Sequence, residues 1–416
     1  MIAKTITNAG KKNAIWIAAT ISMICLVSLT NAHASTADDF AGLTLEAKGK
    51  TVYFNAWGGD AKINSYISWA GDMLKQRHDI TLIHVKLTDT ASAISRILAE
   101  KTAGRDTDGS IDLLWVNGEN FAAMKRAGLL QADPWAQSLP NWQFTDASAL
   151  PAILADFAVP TDGKESPWGR AQLVFAHDSA RLPIPPKSAT ALGHYIVANP
   201  GRFTFPQPPD FIGVSFLKQI LIELTKANPA LYQPVKPTEF EVITAPLWRW
   251  LDVVRPNLWR GGSAYPANYP MLRQMLGDGE IDIAIAFNPA DASAAIARGE
   301  MPDSTRTYIH DGGTLANVHF LAIPYNAAAP AAAKLTANFM LSPAAQLKKA
   351  DSRIWGDPTV LAMDRLPASM RQAFADLPRG VATLSDAELG QTLAEPHPSW
   401  VAMLEAAWIK RYATGD

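Results

Sequence analysis

The side chains most able to do chemistry sit in short loops that follow apolar runs. Trp57-Gly58-Gly59-Asp60 follows the β-rich run TVYFNAW and precedes a helical pattern. Free backbone N–H groups and the positive end of a helix dipole collect at such a junction, and glycine lets a ligand approach the backbone. Trp57 would offer a flat face to that ligand, or would bury itself in the core above a tight turn. Asn117-Gly118-Glu119-Asn120 stands just past another apolar run. Asn and Glu together can accept from a cation or donate to an oxygen, and either Asn can also cap a following helix. Strand alternation puts Trp168, Arg170 and Gln172 on one face, where they could look into a cleft together; Arg170 could equally be a surface ion pair. Pro209-Asp210-Phe211, the aromatic stretch holding Tyr265 and Tyr269, and Asn288, Pro289 and Asp291 would form an opposing wall. If these residues converge, the pocket is aromatic, with the acids Glu119, Asp210 and Asp291 and few bases. That chemistry suits a cationic or flat heteroaromatic solute.

Bond-making chemistry finds less support. A serine hydrolase needs a nucleophile, a base and an oxyanion site. The chain has no G-x-S-x-G, since Gly213-Val214-Ser215 lacks the second glycine, and His310-Asp311-Gly312-Gly313 reads as a turn into a strand. There is no H-E-x-x-H, no Walker loop and no G-x-G-x-x-G, so no zinc, nucleotide or dinucleotide cofactor is expected. The expectation is a binding protein and not an enzyme. A secreted hydrolase and a sensory protein are the alternatives.

The elements that must hold these loops alternate. Strand TVYFNAWGG (51–59) leads to a helix over 60–76, with Ile63, Ile67, Ala70 and Leu74 on one face. Strand 80–87, helix 92–102 and strand 111–118 follow. Runs this apolar are buried on both faces, which implies a mostly parallel sheet covered by helices. WGRAQLVFAHD (168–178) reads as one strand crossing between lobes. A second α/β lobe starts near 180, with a helix over 214–226, another over 270–276 and a strand over 281–289. Residues 312–324 read as the return strand, followed by a helix over 330–340 and by helical segments packing back on both lobes. The expected layout is lobe 1 over 35–170, the first crossing near 168–178, lobe 2 over 180–311, and the return crossing with C-terminal helices over 312–416.

Residues 1–34 read as an address. Lys4, Lys11 and Lys12 precede an uncharged apolar run from Ala14 to Leu29, and Ala32-His33-Ala34 supplies a small-x-small cleavage site before Ser35. The run is too short to span a bilayer comfortably. The one cysteine, Cys25, lies within it, after Ser22-Met23-Ile24, which lacks the small residues of a lipoprotein site. Cleavage would leave about 380 residues without a disulfide, enough for two lobes resting on large cores. It would also move the net charge from −2 to −5, because the removed segment carries three lysines and no acid. That balance argues against nucleic acid or an anionic membrane as partner.

The order of segments resembles the extracellular solute-binding proteins of ABC transporters, in particular their YnjB-type branch. The resemblance rests on VYFNAWGGD from Val52, IDLLWVNGENFAAMKRAGLL from Ile111, WGRAQLVFAHDSARLP from Trp168, IDIAIAFNPADA from Ile281 and LAIPYNAAAPAAAKLTANFMLSPA from Leu321. It implies a type II-like periplasmic-binding-protein fold: two α/β lobes, hinge strands between them and one ligand in the cleft. It also implies a periplasmic monomer that closes on a small molecule and presents it to a membrane permease served by a separate ATPase. Site residues are then expected from both lobes, at the C-terminal ends of strands. Thiamine is the sharper ligand expectation and polyamines the next, with sugars left open. Ferric iron is disfavoured, because iron-binding relatives use adjacent tyrosines whereas Tyr265 and Tyr269 are four apart.

Overall fold

The computed structural model describes residues 40–385 and 387–413. The expected address, residues 1–34, lies outside them. Among the described residues no helix is long and apolar enough to cross a membrane.

The first lobe alternates β1 (Thr51–Trp57), α1 (Ala61–His78), β2 (Thr81–Leu87), α2 (Thr90–Thr102), β3 (Leu113–Val116) and α3 (Glu119–Arg126). β1 lies between β2 and β3, parallel to both. The apolar runs read from sequence therefore pair as a parallel sheet. Asp60 and Asp89 explain where two helices start: Asp60 Oδ1 accepts from Lys62 N at 2.7 Å, and Asp89 Oδ1 from Ala91 N at 2.9 Å.

The crossing differs from a single strand. Residues 165–178 form β4 (Glu165–Gln172) and β5 (Val174–Asp178), which belong to different sheets. The break falls at Leu173, whose N–H donates to Leu315 O at 2.7 Å. One apolar run thus serves two cores, which a hydrophobicity pattern alone does not reveal.

The second lobe contains α4 (Ala189–Ala198), α5 (Phe211–Leu224), α6 (Pro237–Val254), α7 (Tyr269–Gly277), β6 (Ile283–Ala286), α8 (Asp291–Ala297) and β7 (Thr305–Tyr308). Its sheet runs β6-β5-β7 and is antiparallel throughout. α5 is buried from Ile212 to Ile222, as befits a helix apolar on nearly every side. The chain then returns through β8 (Thr314–Ala322), which pairs antiparallel with β4 along one edge and with β3 along the other. α9 (Pro330–Met340), α10 (Pro343–Ala350), α11 (Ala368–Ala375), β9 (Thr392–Leu393) and α12 (Ser399–Trp408) complete it. β9 extends the first sheet beside β8, while Trp400, Leu404 and Trp408 of α12 are buried in the core of the second lobe. The C-terminal segment therefore touches both lobes.

Candidate ligand-binding site between the lobes

Two seams join the lobes. At the first, the loop after β1 meets α7 and α8. Asp60 caps α1 with one oxygen and turns the other toward Arg273 of the second lobe, whose Nη1 lies 3.7 Å from Asp60 Oδ2. The same Nη1 donates to Asp291 Oδ1 at 3.0 Å, and Tyr269 Oη donates to Asp291 Oδ2. Burial raises the Asp291 pKa despite these partners, chiefly because a charge there is cut off from water. Lys62 Nζ donates to Ser352 O at 2.7 Å, and Asn288 Nδ2 to Trp355 O at 3.2 Å, so the loop after α10 closes this seam from the side.

Trp57, Gly58 and Gly59 precede Asp60 in the same loop, with Trp57 packed against the first-lobe core. Gly58 N donates to Leu87 O at 2.9 Å, and a Cβ on Gly58 would come within 2.6 Å of Lys86 Cβ. A side chain on Gly59 would run into the Trp57 indole. Gly59 therefore lets the partly exposed Trp57 ring fold over its own loop, and Gly58 lets the loop lie against Lys86.

At the second seam, the loop after β3 meets α5 and the C-terminal segment. Gly118 has φ 59°, its N–H donates to Asp156 Oδ2 at 2.7 Å, and a Cβ there would lie 2.6 Å from the Phe157 ring. Phe157 reaches across the gap: Lys218 Nζ of α5 stands 4.5 Å from its ring centroid. Lys218 Nζ also donates to Glu395 Oε2 at 2.6 Å, and Asn317 of β8 donates to Glu395 Oε1 at 3.1 Å. Glu119 opens α3 at this seam. Burial pushes its pKa up, while the Lys218 charge pulls it down. Glu405 of α12 is raised to about 7, first by burial and then by the charges of Glu119 and Asp89. Asp156 is held well above the usual range, mainly by burial. Glu119, Asp156 and Glu405 are each pushed up by burial and by neighbouring acids and drawn back by the Lys218 charge.

The remaining sequence candidates take other places. Trp168 is fully buried and packs edge-on to Trp115 at 5.0 Å and Trp355 at 5.3 Å, so it belongs to the first-lobe core instead of a cleft wall. Gln172 Nε2 donates to Thr314 Oγ1 and Leu389 O, which ties the crossing to the return strand and the C-terminal segment. Asp210 caps α5 by accepting from Ile212 N at 2.8 Å, a structural use of its carboxylate. Tyr265 packs on Phe205 and Trp408 at the edge of the second core. Asn117 closes the turn into α3, its carbonyl accepting from Asn120 N at 3.2 Å. Asn288 and Asp291 thus stand at the first seam, where the loop Trp57-Gly58-Gly59 reaches the second lobe through Asp60, while Glu119 stands at the second seam and Asn117 in the turn before it.

Sequence reasoning missed Arg273, Lys218, Phe157, Glu395 and Glu405. Only Lys218 carried a signal: a lone lysine in FLKQILI demands a buried partner. A second cluster, His319, Lys349 and Asp357, is buried under Trp115, Trp168 and Trp355. Asp357 Oδ2 accepts from Lys349 Nζ and lies 3.0 Å from His319 Nε2. These charges neutralise one another within the core, with no hydroxyl nucleophile in the cluster.

Two α/β lobes, a pair of crossing strands and polar loops facing each other across the gap define the class of two-lobe periplasmic binding proteins. The chain belongs to the bacterial extracellular solute-binding protein family, matching it over residues 69–363. It is 46% identical over 400 residues to Protein YnjB of Escherichia coli, spanning 96% of this chain and 98% of that one. The fold is shared at low identity with the spermidine/putrescine ABC transporter substrate-binding protein PotD of Streptococcus pneumoniae. There the TM-score is 0.60 at 13% identity, over 88% of this chain and 98% of that chain. It is shared also with iron-bound HitA of Pseudomonas aeruginosa, with a TM-score of 0.59 at 17% identity, over 86% and 99% of the two chains.

Proposed function

We propose that this chain is the substrate-binding component of an ABC importer, exported to the periplasm, that closes its lobes on a small cationic solute. One observation carries the reading of charge: Glu119, which opens α3 in the first lobe, and Glu405 of α12, which packs on the second, feel each other's negative charge across the second seam. A cation entering between Glu119 and Glu405 would relieve their mutual repulsion, whereas an anion would add to it. The partly exposed Trp57 at the neighbouring seam adds a stacking face, which favours a flat heteroaromatic cation such as thiamine over a flexible polyamine. The loaded, closed form would be what the permease distinguishes, with ATP hydrolysis supplied by a separate subunit.

The test is a thermal-shift screen of the exported protein, unfolded and refolded to strip carried solute. The panel holds thiamine, spermidine, putrescine, amino acids, neutral sugars and ferric iron. A ligand at about 100 times its dissociation constant adds about 2.7 kcal/mol of stability. A saturable shift with thiamine or a polyamine supports the reading. A shift confined to sugars or anionic compounds overturns it.

A further inference from the structure

The Lys218 ammonium occupies a cage of the kind proteins build for ligand cations. Its side chain is 1% exposed. It is held by the Glu395 carboxylate at 2.6 Å, with the Phe157 ring 4.5 Å and the Phe211 ring 5.8 Å from Nζ. The parts come from different bodies. Lys218 and Phe211 belong to α5 of the second lobe, Glu395 to the C-terminal segment, and Phe157 to the short hairpin of the first lobe between Asp156 and Val159. Phe157 and Ala158 both take left-handed backbone conformations, with φ of 43° and 64°, which side chains disfavour. Strain of this kind persists where the surroundings hold it in place, and here the turn aims an aromatic ring at a desolvated cation. Gly118 supplies the space behind the ring.

From this arrangement we infer that Lys218 and Phe157 form a built-in tether that holds the lobes together without a solute. The cation–π contact joins the two lobes directly, whereas the ion pair joins α5 to the segment that β9 and Asn317 tie to the first sheet. A chain already biased toward closure loses less of its intrinsic affinity to the closing step, since apparent affinity scales with the fraction in the binding-competent form. That consequence for solute affinity rests on the solute-binding reading above; the tether itself does not.

The experiment measures interlobe distance in the full chain without added solute, by single-molecule energy transfer between dyes on Leu98→Cys and Val242→Cys. Both positions are exposed, one on each lobe, and Cys25 is replaced by Ser. Phe157→Leu, which keeps apolar bulk but removes the ring, and Lys218→Met are each expected to move the closed-to-open ratio about tenfold toward open. Lys218→Arg, which keeps a cation over the ring, should retain the parent distribution. If Lys218→Met fails to fold, Phe157→Leu decides alone, because it leaves the buried ion pair untouched. Unchanged distances in a folded Phe157→Leu overturn the tether. Thiamine titration separates the two readings: opened lobes with no thiamine binding in any variant fault the ligand assignment and leave the tether standing.

Discussion

The guanidinium of Arg273 lies 3.7 Å from the Asp60 carboxylate, so an arginine of the second lobe reaches the residue that caps the first helix of the other lobe. Asp60 therefore carries two duties: one oxygen starts α1, and the other receives the opposite lobe. Arg273 is anchored from behind by Asp291, itself held by Tyr269.

Replacing Arg273 by Met should cost about 3 kcal/mol, because it leaves the Asp291 carboxylate buried without its cation. Urea unfolding of the two proteins checks this. Arg273→Lys should recover part of the loss, and a loss below 1 kcal/mol in the Met variant would show that Asp291 is stabilised by Tyr269 alone.

Glu119→Gln removes a negative charge at the second seam while preserving shape. Cationic solute affinity should fall at least tenfold, with the melting temperature held or raised, since the carboxylate is itself penalised by burial. Trp57→Ala should weaken a heteroaromatic solute more than a polyamine, because only the former stacks. Isothermal titration of both variants separates charge from stacking, and parent-like affinity in both would remove these residues from the site.

Glu405 gives the fold a pH dependence of unusual sign for a carboxyl group. Its pKa is raised from 4.5 to about 7, so between those values the folded chain keeps a proton the unfolded chain has released. Stability contributed by this group therefore falls as pH rises from about 4.5 to 7 and levels off above. Glu405→Gln should flatten the urea midpoint over that window, leaving the slope due to Glu119 and Asp156, which are shifted the same way. Affinity for a cation should move oppositely, tightening as pH rises through 7. A midpoint profile unchanged by Glu405→Gln would mean that this group is solvated.

Gly58→Ala should destabilise the protein by about 1–3 kcal/mol, since the new methyl would press on the Lys86 stem. Solute affinity should fall as well, because relief of that clash displaces the Trp57 loop. Equal stability, measured by denaturant unfolding, would show that β2 gives way freely.

Much of this architecture was legible in the residues themselves. Apolar runs such as IDLLWV announce strands buried on both faces, Asp60 and Asp89 mark helix starts, and the order of segments carries the family resemblance. Composition also sufficed to exclude a disulfide framework and to provide for large cores. These features depend on contacts close in sequence or on bulk hydrophobicity, which a linear pattern records. The tertiary structure alone decided which polar side chains face the gap. Alternation placed Trp168 and Gln172 beside a ligand, yet a register shift against β8 at Trp168 breaks the alternation, and both side chains meet structural partners. Asp210 and Glu119 look equivalent as acids near a helix start, but one satisfies backbone N–H groups and the other shares a field with Glu405. Lys218 meets Glu395 177 residues away, and Phe157 reaches it from the other lobe. Charge acts through space and burial, and neither distance nor burial between remote segments is written in their spacing along the chain.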